Sequence, residues 1–382
     1  MQFKYGLISV DDHVVEHPRV WEERLSKAKW GDRIPHVEQS NGTERWVVDG
    51  QTLPLTGRGS VGALLSDRAA SPAHWSDIPP QAYDPSERLK AMDADGVDVS
   101  VLYPTVAGMA GETFGRLQDA ELELACVQAY NDWLVEEWAS ASPRFVAQCL
   151  APLAPVEVVV DEIRRAVGKG HRGVIFPATP MLLRELPHVN EQVYDPIWAV
   201  CEELQVPVCF HSGSSERLEF PLYPELSPAL QAALSVVNRP LAAISVFSNV
   251  LYSHILVRHP GLKVVFAESS LGWGAYELEL ADHEFERQRL HLDTGEARPS
   301  ELFRRQCYLT GCFDRAGIDL RGYIGLNNIL WETNFPQASS PWPRSWDAIE
   351  TSFPKSEVPD AERRQVLVGN AAKLYGLSES VA

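Results

Sequence analysis

Long apolar stretches are missing from this chain of 382 residues: no run approaches the ~20 residues of a membrane span. Positive charge is also scarce. Against 52 Asp and Glu there are only 34 Lys and Arg, a formal net charge of −18. Such a surface repels phosphate backbones and anionic lipid, which excludes nucleic-acid or membrane-surface binding as a main role. Cysteine is sparse and scattered, at Cys126, Cys149, Cys201, Cys209, Cys307 and Cys312, with no C-x-x-C pair. These read as reduced, mostly buried thiols of a cytoplasmic protein. The first residues, MQFKYGLISVDDH, carry charge too early for a secretory segment. Internal repeats and low-complexity linkers are absent too.

What the chain does have is apolar mass, 45% of its residues, enough for a full-sized core. Short β-branched runs alternate with longer helical stretches from end to end. The runs are Leu7–Val10, Val97–Tyr103, Phe145–Leu150, Gly173–Pro177, Val206–His211, Leu262–Glu268, Gln306–Thr310 and Asn328–Trp331. Several are continuously apolar, as strands of a parallel sheet covered on both faces should be. Helices are predicted over Pro85–Asp95, capped by Asp84, and over Gln118–Ser140, Val156–Gly168 and Ala275–Leu290. Eight such units predict an α/β fold of the (β/α)8, or TIM-barrel, kind; a doubly wound sheet is the alternative. We read residues 1–382 as one domain. Residues 14–84 form an insertion after the first strand, with a hairpin at Asp49-Gly50 and a Gly/Ser/Arg-rich loop. A second insertion, residues 212–237, follows strand 5. Both would lie over the C-terminal face, where barrel active sites form.

The chemistry gathers at strand ends. In V-D-D-H-V-V-E, period-2 alternation puts Asp11 and His13 on one face and Asp12 on the other, with Glu16 able to fold back. An Asp/His pair at i, i+2 is a metal chelate of one hard oxygen and one borderline nitrogen, although an Asp-rich turn would look similar. His211 ends strand 5 and Glu268 ends strand 6, where a carboxylate needs water or a cation. Asn334 lies in W-E-T-N-F-P after strand 8, with Glu332 as an alternative carboxylate. In a closed barrel these six, Asp11, His13, Glu16, His211, Glu268 and Asn334, converge on one point, and two metal ions suit so many ligands. Tyr103, Trp273 and Ser212, the last with Gly213 and Ser214, are candidate substrate contacts, although core packing or a tight turn explains them as well.

Five ordered blocks resemble the amidohydrolase-related barrel family that includes aminocarboxymuconate-semialdehyde decarboxylase. They are I-S-V-D-D-H-V-V-E-H-P, A-M-D-A-D-G-V-D-V-S-V-L-Y-P, V-Y-D-P-I-W-A-V-C-E-E-L-Q-V-P-V-C-F-H-S-G, H-P-G-L-K-V-V-F-A-E-S-S-L-G-W and I-L-W-E-T-N-F-P. The resemblance implies that Asp11 and His13 take the first-strand ligand positions and His211 the fifth-strand one. Asn334 then stands where the family has a metal-binding, proton-handling aspartate, and Gln337 where it has histidine. No histidine follows His291 to replace it. A carboxamide has no useful basicity, so it cannot deprotonate a metal-bound water.

With its base lost and carboxylates at Asp11, Glu16 and Glu268, the chain is similar to a branch of non-heme diiron monooxygenases. These act largely on acyl-CoA-linked substrates, diterpenoids of antibiotic biosynthesis among them. That resemblance implies an oxidoreductase with two Fe ions per chain, dioxygen, an external electron donor and a bulky CoA-linked substrate. It leaves room for a homo-oligomer. The competing expectation is a hydrolase or decarboxylase of the same superfamily, using Zn.

Overall fold

The computed structural model describes residues 3–212, 223–238, 240–291, 295 and 297–377. Each apolar run becomes parallel strand: most are trimmed by a residue or two, the first extends three residues further to His13, and Phe145–Leu150 splits in two. In chain order the strands are β1 (Ile8–His13), β2 (His36–Ser40), β3 (Thr43–Val48), β4 (Gln51–Leu53), β5 (Val99–Tyr103), β6 (Phe145–Ala147) and β7 (Cys149–Leu150). They continue with β8 (Val174–Ile175), β9 (Val208–His211), β10 (Val264–Ala267), β11 (Cys307–Gly311) and β12 (Ile329–Trp331). β1–β5–β6 form one parallel sheet and β7–β8–β9–β10–β11–β12 another. β6 and β7 are the two halves of one strand, interrupted at Gln148.

The other seam lies between β12 and β1. No ladder closes it; instead His13 N–H donates to the Phe335 carbonyl at 2.6 Å and Asn334 N–H to the Asp11 carbonyl at 2.8 Å. The eight-stranded ring is thereby complete, and the fold is the (β/α)8 barrel. Strands such as β9 and β10 are buried along their whole length, which explains their unbroken apolar runs.

Helices Ala120–Trp133, Val156–Lys169 and Gly272–Gln288 lie where periodicity puts them. Pro85–Asp95 starts as its sequence dictates. The Asp84 carboxylate accepts from Ser86 N and Glu87 N, proline occupies the first turn, and Gly96 stops the helix at φ 72°.

β2, β3 and β4 make a separate antiparallel sheet, whose Asp49-Gly50 turn has φ of 46° and 79°, the mirror-image turn that hairpin twist favours. The chain then runs back over the barrel mouth. At Gly57 (φ 60°) any Cβ would meet the Thr105 carbonyl oxygen at 2.3 Å, so only glycine lets the loop lie this close.

The cysteines form no disulfide, and five of the six are buried. One correction concerns apolar length. Among the described residues Ala229–Tyr252 is a helix long and apolar enough to cross a membrane by composition, with mean hydropathy 1.3.

Candidate metal centre

β1 and β9 bring the first ligand candidates together. Parallel pairing carries β1 alongside β5, with His13 level with Tyr103, and sets His211 level with Ala267. Asp11, His13 and His211 point into the barrel, fully or almost fully buried, with ligand atoms all within 4.8 Å of one another. Asp11 Oδ1 lies 3.3 Å from His13 Nε2, and Oδ2 lies 3.2 Å from His211 Nε2. Neither approach has hydrogen-bond geometry, so both carboxylate oxygens and both Nε2 atoms lack a directed partner.

The opposite ring nitrogens explain why. His13 Nδ1 meets the Pro104 carbonyl at 3.0 Å, and His211 Nδ1 meets the Ser212 carbonyl at 2.5 Å. A carbonyl only accepts, so each Nδ1 carries the proton and each Nε2 presents its lone pair inward. Two imidazole lone pairs and one carboxylate, buried and aimed at a common point, fit a divalent cation. Burial alone raises the Asp11 carboxyl, and only positive charge at the His211 and His13 nitrogens, their own protons or a cation in their place, outweighs it and holds Asp11 well below the usual carboxylate range.

Asn334 joins this group through its backbone bond to Asp11. Its side-chain Oδ1 is buried without a hydrogen-bond partner, and its Nδ2 donates to Glu268 Oε1 and to Ser339 Oγ. Glu268 therefore stands one residue removed from the triad, at the partly exposed rim, with its own N–H donating to Glu332 Oε2 at 3.2 Å. Glu268 and Asn334 both hold left-handed backbone, φ 53° and 51°, a cost of about 1 kcal/mol or more each that clusters at functional sites.

Glu16 requires a correction. Its carboxylate does not reach the triad; it accepts from Thr105 N, Thr105 Oγ1 at 2.9 Å, Val106 N at 2.8 Å and Ala107 N at 3.1 Å. Burial pushes it up and these donors oppose that rise, so its work is to hold the loop after β5.

The proposed substrate contacts also separate. Tyr103 is fully buried, and its ring packs 5.9 Å from His13 and 5.1 Å from His211, so it forms the floor beneath the ligands. Burial raises its hydroxyl well above the ordinary value and keeps it protonated. Trp273 is turned aside: its N–H donates to the Ser269 carbonyl at 2.7 Å and its ring packs on Phe247. Ser212 serves through its carbonyl, which fixes His211, while Gly213 and Ser214 lie outside the described residues.

Sequence reasoning passed over two charged residues. Asp12, on the outer face of β1, and Arg88, fully buried in the helix Pro85–Asp95, both contact the strands that carry the triad. The signal was available: an aspartate facing outward from a covered strand must find donors.

Comparison with known proteins places this geometry. Residues 48–377 match the family model described as amidohydrolase. The chain is 23% identical over 324 residues to the γ-resorcylate decarboxylase of Rhodococcus jostii, covering 80% of this chain and 91% of the relative. Among solved structures it resembles an amidohydrolase from Mycobacterium avium subsp. paratuberculosis, with 21% identity and a TM-score of 0.75, covering 98% of this chain and all of that one. It also resembles a dihydroxybenzoic acid decarboxylase from Polaromonas with bound manganese, with 17% identity and a TM-score of 0.66, covering 99% and 98%. These likenesses to solved structures show a shared barrel. The decarboxylase relatives overturn the expectation of a diiron monooxygenase, and with it the oxidoreductase chemistry on dioxygen and the CoA-linked diterpenoid substrate.

Proposed function

The chain belongs to the amidohydrolase family, and from that premise we propose that it is a metal-dependent decarboxylase removing CO2 from a hydroxylated aromatic acid without oxidation. The observation that carries this reading is the pairing of Asn334 with Glu268 beside the triad. Hydrolysis needs a base that takes a proton from water, and a carboxamide cannot serve. Decarboxylation needs no activated water. It needs an anchored acid and a proton held near the carbon that loses CO2. The relatedness to γ-resorcylate decarboxylase supports the same choice.

Asp11, His13 and His211 would hold a divalent cation of the manganese class, which supplies a Lewis-acid anchor for the substrate's oxygens. Tyr103 closes the floor against water. Glu268, fixed by the Asn334 amide and open to solvent at the rim, holds the proton. As the ring–carboxylate bond breaks, its electron pair stays on the ring carbon, the Glu268 proton joins that carbon, and CO2 departs. Solvent then reprotonates Glu268.

The test is CO2 release from a panel of hydroxybenzoic acids by the manganese-reconstituted chain, in air and under nitrogen. Equal, metal-dependent release in both atmospheres is expected, with one solvent deuterium entering the ring in D2O. Metal-dependent ester hydrolysis with no CO2 release from any acid would contradict the reading.

A further inference from the structure

Asp11 and His13 face the barrel interior, and the residue between them faces the other way. The Asp12 carboxylate is almost fully buried and saturated: Oδ1 accepts from Ser9 Oγ at 2.9 Å, Thr333 Oγ1 at 2.5 Å and Phe335 N at 3.0 Å, and Oδ2 from Ser100 Oγ at 2.5 Å. One side chain thus ties β1 to β5 on one side and to the segment after β12 on the other. That is the seam where no strand ladder closes the ring. The residues it grips bracket the site. Asn334 lies between Thr333 and Phe335, and Asp11 and His13 flank Asp12 itself.

Arg88 backs the same seam from the helix Pro85–Asp95. Its Nη2 donates to the carbonyl of His13 at 2.6 Å and its Nε to that of Gln81 at 2.7 Å, while the guanidinium stacks 4.5 Å from the Phe335 ring. Burial lowers Arg88 to about 10, opposed by Asp12, so it stays charged near neutrality. Nη1 has no hydrogen-bond partner, and Arg88 lines a small cavity together with Asp12, Asp95 and Trp342.

We propose that Asp12, supported by Arg88, is a positioning residue that sets the separation of the strand-1 ligands from Asn334 and thereby the affinity of the centre for its cation. This rests on the reading of Asp11, His13 and His211 as a metal site. Supports of this kind are worth about 10–100-fold in metal affinity.

The experiment compares Mn2+ affinity and the visible spectrum of the Co2+-loaded protein in the parent and in Asp12→Asn. A control is Asp98→Asn, because Asp98 is also a buried carboxylate, bonded to the backbone N–H groups of Lys4, Tyr5, Gly6 and Leu7 at the start of β5. Asp12→Asn should weaken Mn2+ binding about 10–100-fold and alter the Co2+ bands. Asp98→Asn should lower the unfolding midpoint and leave both metal readouts unchanged. If Asp12→Asn does not fold, Ser100→Ala and Thr333→Val each remove one arm of the strap and should each weaken Mn2+ binding severalfold. Binding within twofold of the parent, with an unaltered Co2+ spectrum, in a folded Asp12→Asn or in both arm variants would overturn the proposal alone. A parent chain that binds no Mn2+ would overturn the metal reading and this proposal together.

Discussion

Asp11 and Glu16 lie five residues apart, and both carboxylates are fully buried, yet they do opposite work. Both Glu16 oxygens are occupied by donors from Thr105, Val106 and Ala107. Asp11 has no directed donor on either oxygen, only two imidazole lone pairs turned toward it. An ionised carboxylate cannot stay buried without compensation, so Glu16 is compensated by the protein and Asp11 requires a cation. The lesson is that burial alone does not mark a ligand. A ligand is a buried charged group that the fold leaves unsatisfied.

The contrast breaks most sharply by substitution. His211→Ala should lose metal binding and turnover by more than the roughly 100-fold that removal of a mere support of a ligand costs, while the barrel still folds. Metal content and CO2 release, measured on the same preparation, check it. Glu16→Gln should do the reverse. Turning an amide NH2 toward backbone donors should cost about 2–3 kcal/mol of stability in denaturant unfolding, with Mn2+ affinity unchanged. A Glu16 variant that loses metal but keeps its stability would erase the distinction.

His171 sharpens the contrast with a buried histidine outside the triad. It is buried with Nε2 3.0 Å from the Asn131 carbonyl, and burial lowers it to about 4. Its folded value lies below the unfolded 6.5, so between those values the unfolded chain takes up a proton that the folded chain refuses. Stability should therefore be level above pH 6.5 and fall as pH drops toward 4, by on the order of 3 kcal/mol. His171→Gln should flatten that slope in unfolding curves collected across the range. A smaller effect is expected at the rim. Asn334→Asp would replace the donor to Glu268 with a like charge, and decarboxylation should fall about tenfold without a gain in ester hydrolysis.

Much of the barrel was legible because its strands are apolar runs bounded by turn residues, and the eight runs recur as β1 and β5–β12, within a residue or two except at β1, which runs three residues further into the polar Asp11–His13. Alternation along Val10–His13 also gave the facing of Asp11 and His13 correctly. What alternation cannot give is the path after the strand ends. Glu16 lies beyond β1, where period-2 logic no longer applies, and the turn carries its carboxylate toward Thr105–Ala107 instead of the barrel axis. Trp273 was unreadable for a similar reason, since its direction depends on the pose of the helix Gly272–Gln288 against Phe247. The closure between β12 and β1, held by Asp12, depends on residues more than 300 positions apart, beyond any local pattern.

Manganese titration of the purified chain, followed by the loss of the free-ion paramagnetic resonance signal, tests the central claim most directly. The account predicts one tight site per chain in the parent and in Glu16→Gln, and none in His13→Ala or His211→Ala. Tight binding that survives both histidine substitutions but disappears with Glu16→Gln would contradict it.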